Sequence, residues 1–188
     1  MKKISILISV LAFLLLISLL LDNLILNLIE KIRFDFLDNF MILFSKYFNY
    51  YIIALLVTSL ILFFKNNKLK RLVIIWLTFI TSLVSVFILK NIFMIPRPNL
   101  SLIEASSYSF PSGHTTLMFA ILSLIWFNFP DNKLIKYSWL FLTILTAFSR
   151  IYLKVHYLTD ILAGALLGLI ISELIIRVFL TLEINKKQ

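Results

Sequence analysis

The chain has only two histidines, His114 and His156, and each stands where chemistry could use it. His156 precedes Asp160 by four residues. On a helix that spacing puts both side chains on one face, where a carboxylate can hold an imidazole in a single tautomer. His114 closes the turn Pro111-Ser112-Gly113-His114 at the start of an apolar run. Gly113 lets backbone N–H groups approach a ligand closely, and a helix N-terminus at Ser112 and Gly113 favours an anion. Lys90, Arg97 and Arg150 add three cations to the same region, against which Asp160 is the single carboxylate, already claimed by His156. The missing negative charge must come from a ligand. A phosphate group fits: Arg97 and Arg150 each offer planar paired donors and Lys90 a point charge. One imidazole could then attack phosphorus through its free nitrogen while the other protonates the leaving oxygen.

The elements that must position these residues are set by composition. Of 188 residues, 61% are hydrophobic and 14% charged, and the mean hydropathy is +1.02, far more apolar than a soluble domain. The chain reads as a single membrane-embedded domain over residues 1–188, all-α, a polytopic bundle of six transmembrane helices. The formal charge of +9 sits mostly between apolar runs, and no basic stripe interleaved with aromatics appears. Topology and anionic headgroups therefore explain it better than nucleic acid. Without cysteine, disulfides and thiolate metal sites are excluded, and no cluster of acids suggests a metal site.

The first span is expected over Ile4–Leu21, an uncleaved anchor behind Lys2 and Lys3. From Asp22 to Phe40 the apolar residues Ile25, Leu28, Ile29, Ile32, Phe36 and Phe40 share a face, while Asn27, Glu30, Lys31, Asp35 and Asp38 face away. That pattern predicts an amphipathic helix on the outer surface of the membrane. Further spans are expected over Phe48–Phe64, Leu72–Leu89, Thr115–Phe129, Leu134–Phe148 and Leu158–Leu180. Lys65, Lys68, Lys70 and Arg71 mark a cytoplasmic turn, and Lys133, Lys136, Arg177, Lys186 and Lys187 fall on the same side. Both termini are then cytoplasmic. The candidate residues emerge together on the opposite, periplasmic or extracytoplasmic, face of the cell (inner) membrane. Gly164 and Gly168 form a small-xxx-small pair that lets a neighbouring helix approach closely, read as packing within the chain rather than a dimer seam.

Lys90-x6-Arg97-Pro98, Pro111-Ser112-Gly113-His114 and Ser149-Arg150-x5-His156-x3-Asp160 together resemble the three-part signature of the type 2 phosphatidic acid phosphatase, or lipid phosphate phosphatase, family. All defining positions match in order, and the chain is similar to the small bacterial six-span members. The resemblance implies an integral membrane lipid phosphatase, a phosphoric ester or anhydride hydrolase working through a phosphohistidine. His156 would be the nucleophile, Asp160 its orienting partner and His114 the general acid. Lys90, Arg97, Ser112, Gly113 and Arg150 would hold the phosphoryl oxygens. No metal or cofactor is implied. The partners expected are the bilayer and a lipid phosphate or diphosphate: phosphatidylglycerol phosphate, undecaprenyl diphosphate, phosphatidic acid or lipid A.

The same site could pass phosphate to another lipid, as a phosphotransferase; a haloperoxidase fits membrane embedding less well. A non-catalytic lipid-binding protein or transporter would need the cations more than the paired imidazoles. Tyr152, Lys154 and Tyr157 read as interface residues, Glu104 as a solvated loop acid, and Ser149 as either a helix hydroxyl or a phosphate contact. The loop Asn99–Phe110 is short for elaborate headgroup recognition. A monomer is compatible with all of this.

Overall fold

A computed structural model describes residues 2–65 and 69–185. Among these residues six helices follow one another: α1 (Lys2–Lys31), α2 (Asp35–Lys65), α3 (Leu69–Phe93), α4 (Gly113–Asn128), α5 (Lys133–Tyr152) and α6 (Leu158–Asn185). The chain is all-helical, as its apolar runs require in a solvent that cannot satisfy exposed backbone. Among the described residues, four helices are long and apolar enough to cross a membrane, over 8–31, Leu69–Phe93, Lys133–Tyr152 and 158–182. Lys68 of the expected cytoplasmic turn, and Lys186 and Lys187 beyond α6, lie outside the described residues.

The amphipathic stretch 22–40 does not form a helix of its own. α1 runs straight through Asp22 to Lys31, about 45 Å in all at 1.5 Å per residue, longer than the roughly 30 Å hydrocarbon core. The chain then breaks at Ile32-Arg33-Phe34 and α2 begins. The charges of the expected polar face are divided between two helix ends. Lys31 lies in the last turn of α1 and Asp35 and Asp38 in the first turn of α2, where each complements the local helix dipole. Arg33 closes the corner by donating from Nη2 to Asp38 Oδ2 at 2.9 Å.

α4 is the shortest helix, 16 residues or about 24 Å, because Pro111 ahead of it and Pro130 after it forbid extension. It is apolar on every side and lies among α3, α5 and α6, with Leu117, Met118, Ala120, Leu122 and Leu124 buried. Its closest partner is α6. A Cβ added at Gly168 would fall 2.2 Å from the Thr116 carbonyl oxygen, and one at Gly164 would fall 2.7 Å from that of Ser112. The glycine pair is therefore spent on packing within the chain, with backbone against backbone.

The α5–α6 turn ends α5 four residues later than the sequence suggests. Lys154 N–H bonds the Ile151 carbonyl at 2.9 Å and Val155 N–H the Arg150 carbonyl at 3.2 Å, the paired bonds of a Schellman ending. The residue in the left-handed position is Lys154, with φ 53°. Glycine is the usual occupant, and a side chain there costs roughly 1–2 kcal/mol. Ile151 and Val155 share one buried cluster with Tyr152, Leu153, Ile29 and Met41, which seats the turn against α1 and α2.

Candidate active site

His156 follows this turn directly, and α6 starts two residues later. Asp160 occupies the third position of α6 and reaches back, its Oδ2 accepting from the Tyr157 N–H at 2.8 Å, half of a capping box. The same oxygen stands 3.2 Å from Nδ1 of His156. Asp160 is 1% and His156 3% exposed, so this bond sits in a medium that strengthens it. On the other side of the ring, Nε2 lies 3.3 Å from Nη1 of Arg97. A guanidinium only donates, so Nε2 accepts, and the network assigns the proton to Nδ1. The imidazole therefore presents a lone pair at Nε2, held in that tautomer by the carboxylate behind it. Burial pushes its pKa down to about 4, against the pull of Asp160 and with help from Arg97 and Lys90.

Arg97 is held as firmly as the ring it faces. Nη1 donates to the Val155 carbonyl at 2.6 Å, Nε to the Ser107 carbonyl at 2.7 Å, and Nη2 to the Ser107 hydroxyl at 3.1 Å. Burial lowers its pKa, with Asp160 opposing. Lys90, in the last turn of α3, donates to the carbonyls of Tyr108 and Ser109, the latter at 3.0 Å. Arg150 is 2% exposed. Its Nε donates to the Ser149 hydroxyl at 3.1 Å, while Nη2 is buried with no hydrogen-bond partner among the described residues. Such a group in a cluster of like charge is unusual, since buried N–H groups are nearly always paired.

Ser112 caps α4 and is fully buried. Its N–H is taken by the Asp160 carbonyl at 3.0 Å and its hydroxyl lies 3.0 Å from that of Thr115. It locks α4 to α6 rather than offering its own amide to an anion. Gly113 and His114 occupy the first two positions of α4, where N–H groups have no intrahelical acceptor. The His114 ring packs on Phe48 of α2, centroids 4.4 Å apart, within electrostatic range of Arg150, His156, Arg97 and Lys90. The structure thus gathers Lys90, Arg97, His114, Arg150, His156 and Asp160 at one end of the bundle, with Ser112 and Gly113 beneath. Ser149 serves Arg150, and Glu104 is exposed. A hollow of about 560 Å³ is lined by Lys90 and Arg97 together with Asn91 and Phe87, the last 69% exposed on α3.

Two groups of residues escape the sequence reading. Ser109 is fully buried; its hydroxyl donates to Asp160 Oδ2 and lies 3.4 Å from Nδ1 of His156. Only its place two residues before Pro111 could have drawn attention to it. Tyr152 and Lys154, expected at the membrane interface, are instead 0% and 5% exposed. Tyr152 donates to Asp38 at 2.6 Å and Lys154 to Glu30 at 3.1 Å. Acids on α1 and α2 that periodicity assigns to water draw these polar ends inward.

The sequence model described as the PAP2 superfamily matches residues 70–183, which contain every candidate residue named above. The chain is 29% identical over 147 residues to undecaprenyl-diphosphatase BcrC of Bacillus subtilis, covering 75% of this chain and 74% of that protein. It is 37% identical over 79 residues to the lipid A 4'-phosphatase of Porphyromonas gingivalis, covering 41% and 32%. The crystal structure of the PAP2-type phosphatidylglycerolphosphate phosphatase of Bacillus subtilis superposes with a TM-score of 0.75 at 25% identity, over 89% of this chain and 93% of that one.

Proposed function

The chain belongs to the PAP2 superfamily, and from that premise we propose that it is a membrane lipid phosphatase that removes a terminal phosphate through a phosphohistidine on His156. The observation that carries this reading is the state of His156: Nδ1 on Asp160 at 3.2 Å and a lone pair on Nε2, 3.3 Å from Arg97. A phosphate arriving beside Nε2 takes over the donors of Arg97, Lys90 and Arg150. Nε2 attacks phosphorus, the bond to the leaving oxygen breaks, and His114 gives that oxygen its proton. Asp160 stabilises the charge that develops on the imidazole. Water then attacks the phosphohistidine, loses its proton to His114 and frees inorganic phosphate, which restores both rings. The three cations stabilise the charge spread over the phosphoryl oxygens in both steps.

A lipid is the substrate that suits the setting. The hollow beside Lys90 and Arg97 is also lined by Phe87, an exposed apolar residue of α3, which suits a headgroup that meets the cations while its tail stays in hydrocarbon. The named relatives act on a polyprenyl diphosphate, on lipid A and on phosphatidylglycerol phosphate. The site lies at the end of the bundle opposite Lys70, Arg71, Lys133, Lys136 and Arg177, a distribution of cations that supports an extracytoplasmic site.

The test is phosphate release by purified protein in detergent micelles from undecaprenyl diphosphate, phosphatidylglycerol phosphate, phosphatidic acid and lipid A. At least one should be cleaved, with acid-labile, base-stable label on the protein, and His156→Ala should abolish both signals. Full activity in that variant, or loss of wild-type activity in EDTA, overturns the mechanism.

A further inference from the structure

The turn that carries His156 is held from outside the region of the PAP2 match. Asp22 and Glu30 on α1 and Asp38 on α2 meet it at three successive points. Asp38 accepts from the Tyr152 hydroxyl at 2.6 Å, and Glu30 from Lys154 at 3.1 Å. Asp22 accepts from both the N–H and the hydroxyl of Thr159, at 2.9 and 2.6 Å. We propose that Asp22, Glu30 and Asp38 are positioning residues for the reaction, a three-point brace that fixes the turn and with it the aim of His156 Nε2. The proposal rests on the reading of His156 as the nucleophile.

Each contact governs something different. Asp22 satisfies an amide in the first turn of α6 that has no acceptor in its own helix, and so anchors the end from which Asp160 projects. Glu30 holds the one residue of the turn in the left-handed region. Lys154 is not a glycine, so its conformation persists only where its surroundings over-determine it, and its buried ammonium needs the carboxylate that pins it. Asp38 is itself clamped by Arg33, making the α1–α2 corner a fixed point rather than a loose strap. Apolar packing of Ile29, Met41 and Leu37 against Ile151, Leu153 and Val155 presses the same two surfaces together. Val155 lies between the two halves, since its carbonyl carries Arg97. Movement of the turn would shift nucleophile and cation together, and errors of about 1 Å at a reacting centre cost on the order of a hundredfold in rate.

The experiment is steady-state phosphate release, from whichever of the four lipids above the wild type cleaves fastest, by Glu30→Ala and Asp22→Ala, beside Glu30→Gln and Asp22→Asn, all checked for monodispersity by size exclusion. The alanine variants should lose about tenfold or more in kcat while KM changes by less than about twofold, because Lys90 and Arg150 stand on α3 and α5 and Arg97 keeps its two bonds to Ser107. The amide variants keep a hydrogen-bonding oxygen and should recover most of the loss. Wild-type kcat in the alanine variants, or a change confined to KM, overturns the proposal. Should an alanine variant fail to fold, Thr159→Val deletes the hydroxyl that donates to Asp22 and lies 3.1 Å from the Ser18 hydroxyl, and it must show the same loss in kcat beside an unaffected Ser18→Ala; unchanged turnover in Thr159→Val refutes the brace. His156→Ala separates the two readings. If it stays active the nucleophile assignment fails, whereas an inactive His156→Ala beside unaffected brace variants condemns the brace alone.

Discussion

Replacing Arg150 with Met should raise stability and destroy activity at once. The side chain is 2% exposed and stands within electrostatic range of Arg97 and His114, with Nη2 buried and unpartnered among the described residues. Removing it deletes one hydrogen bond, Nε to Ser149 at 3.1 Å, worth about 1 kcal/mol. Ser149 is not orphaned by the change, since its hydroxyl donates to the Thr146 carbonyl at 2.7 Å. Against that loss stand an unsatisfied buried N–H, roughly 1–3 kcal/mol, and a desolvated charge whose effective penalty is several kcal/mol. The balance favours Met by roughly 3 kcal/mol, or on the order of 10 °C in midpoint for a chain of this length. On the proposed mechanism the same substitution removes a donor to the phosphoryl oxygens, with an expected loss of about 10²–10³ in kcat/KM. Thermal unfolding in detergent, followed by tryptophan fluorescence with and without orthovanadate, measures the first effect. Vanadate should stabilise the wild type by mass action and the variant much less. A variant that melts below the wild type, or keeps its turnover, would refute the view that Arg150 is held ready for an anion.

Gly168→Ala should act in the opposite sense, because the added methyl meets the Thr116 carbonyl at 2.2 Å and the Ala120 nitrogen at 2.9 Å, backbone atoms that cannot turn away. A fall in midpoint of several degrees, corresponding to roughly 1–3 kcal/mol of overpacking, should appear with reduced activity. Gly113→Ala, whose nearest neighbour is a Val86 methyl at 3.4 Å, should melt close to the wild type. For His156, nitrogen NMR of the ring should show a neutral imidazole from pH 8 down to about 5, protonating only near pH 4. Asp160 is the influence that raises this pKa, so Asp160→Asn should move the transition to still lower pH. A wild-type midpoint near 6.5 would contradict the buried, Asp160-backed arrangement.

Much of the molecule can be read from the chain because membranes leave few options. Six apolar runs, glycines at helical spacing and scarce polar residues in an oily background pick out the helices and the cluster from Lys90 to Asp160. What stays hidden depends on partners far away in sequence. Helical periodicity over 22–40 says which residues share a face, not that Tyr152 and Lys154 wait opposite Asp38 and Glu30, more than a hundred positions on. The break at Ile32-Arg33-Phe34 carries neither glycine nor proline, so no turn signal marks it. Lys154 in a left-handed position is equally silent, since lysine has no preference for it. Ser109 is invisible for another reason. Two of its links use backbone atoms, its carbonyl to Lys90 and its N–H to Ile95, and main-chain chemistry leaves no trace in residue type.

If the substrate is a lipid, as proposed, the glycine seam between α4 and α6 also decides which way it can travel. A contact that has no room for one methyl group has none for an acyl or prenyl chain, so the wall behind Thr116 and Gly168 stays shut to hydrocarbon. The tail of a bound lipid must hang from another flank, and the hollow lined by Arg97, Asn91 and Phe87 supplies one along α3. Chain length and branching would then be read by the outer surface of α3, a helix whose exposed Val84, Phe87 and Ile88 have no part in holding phosphate.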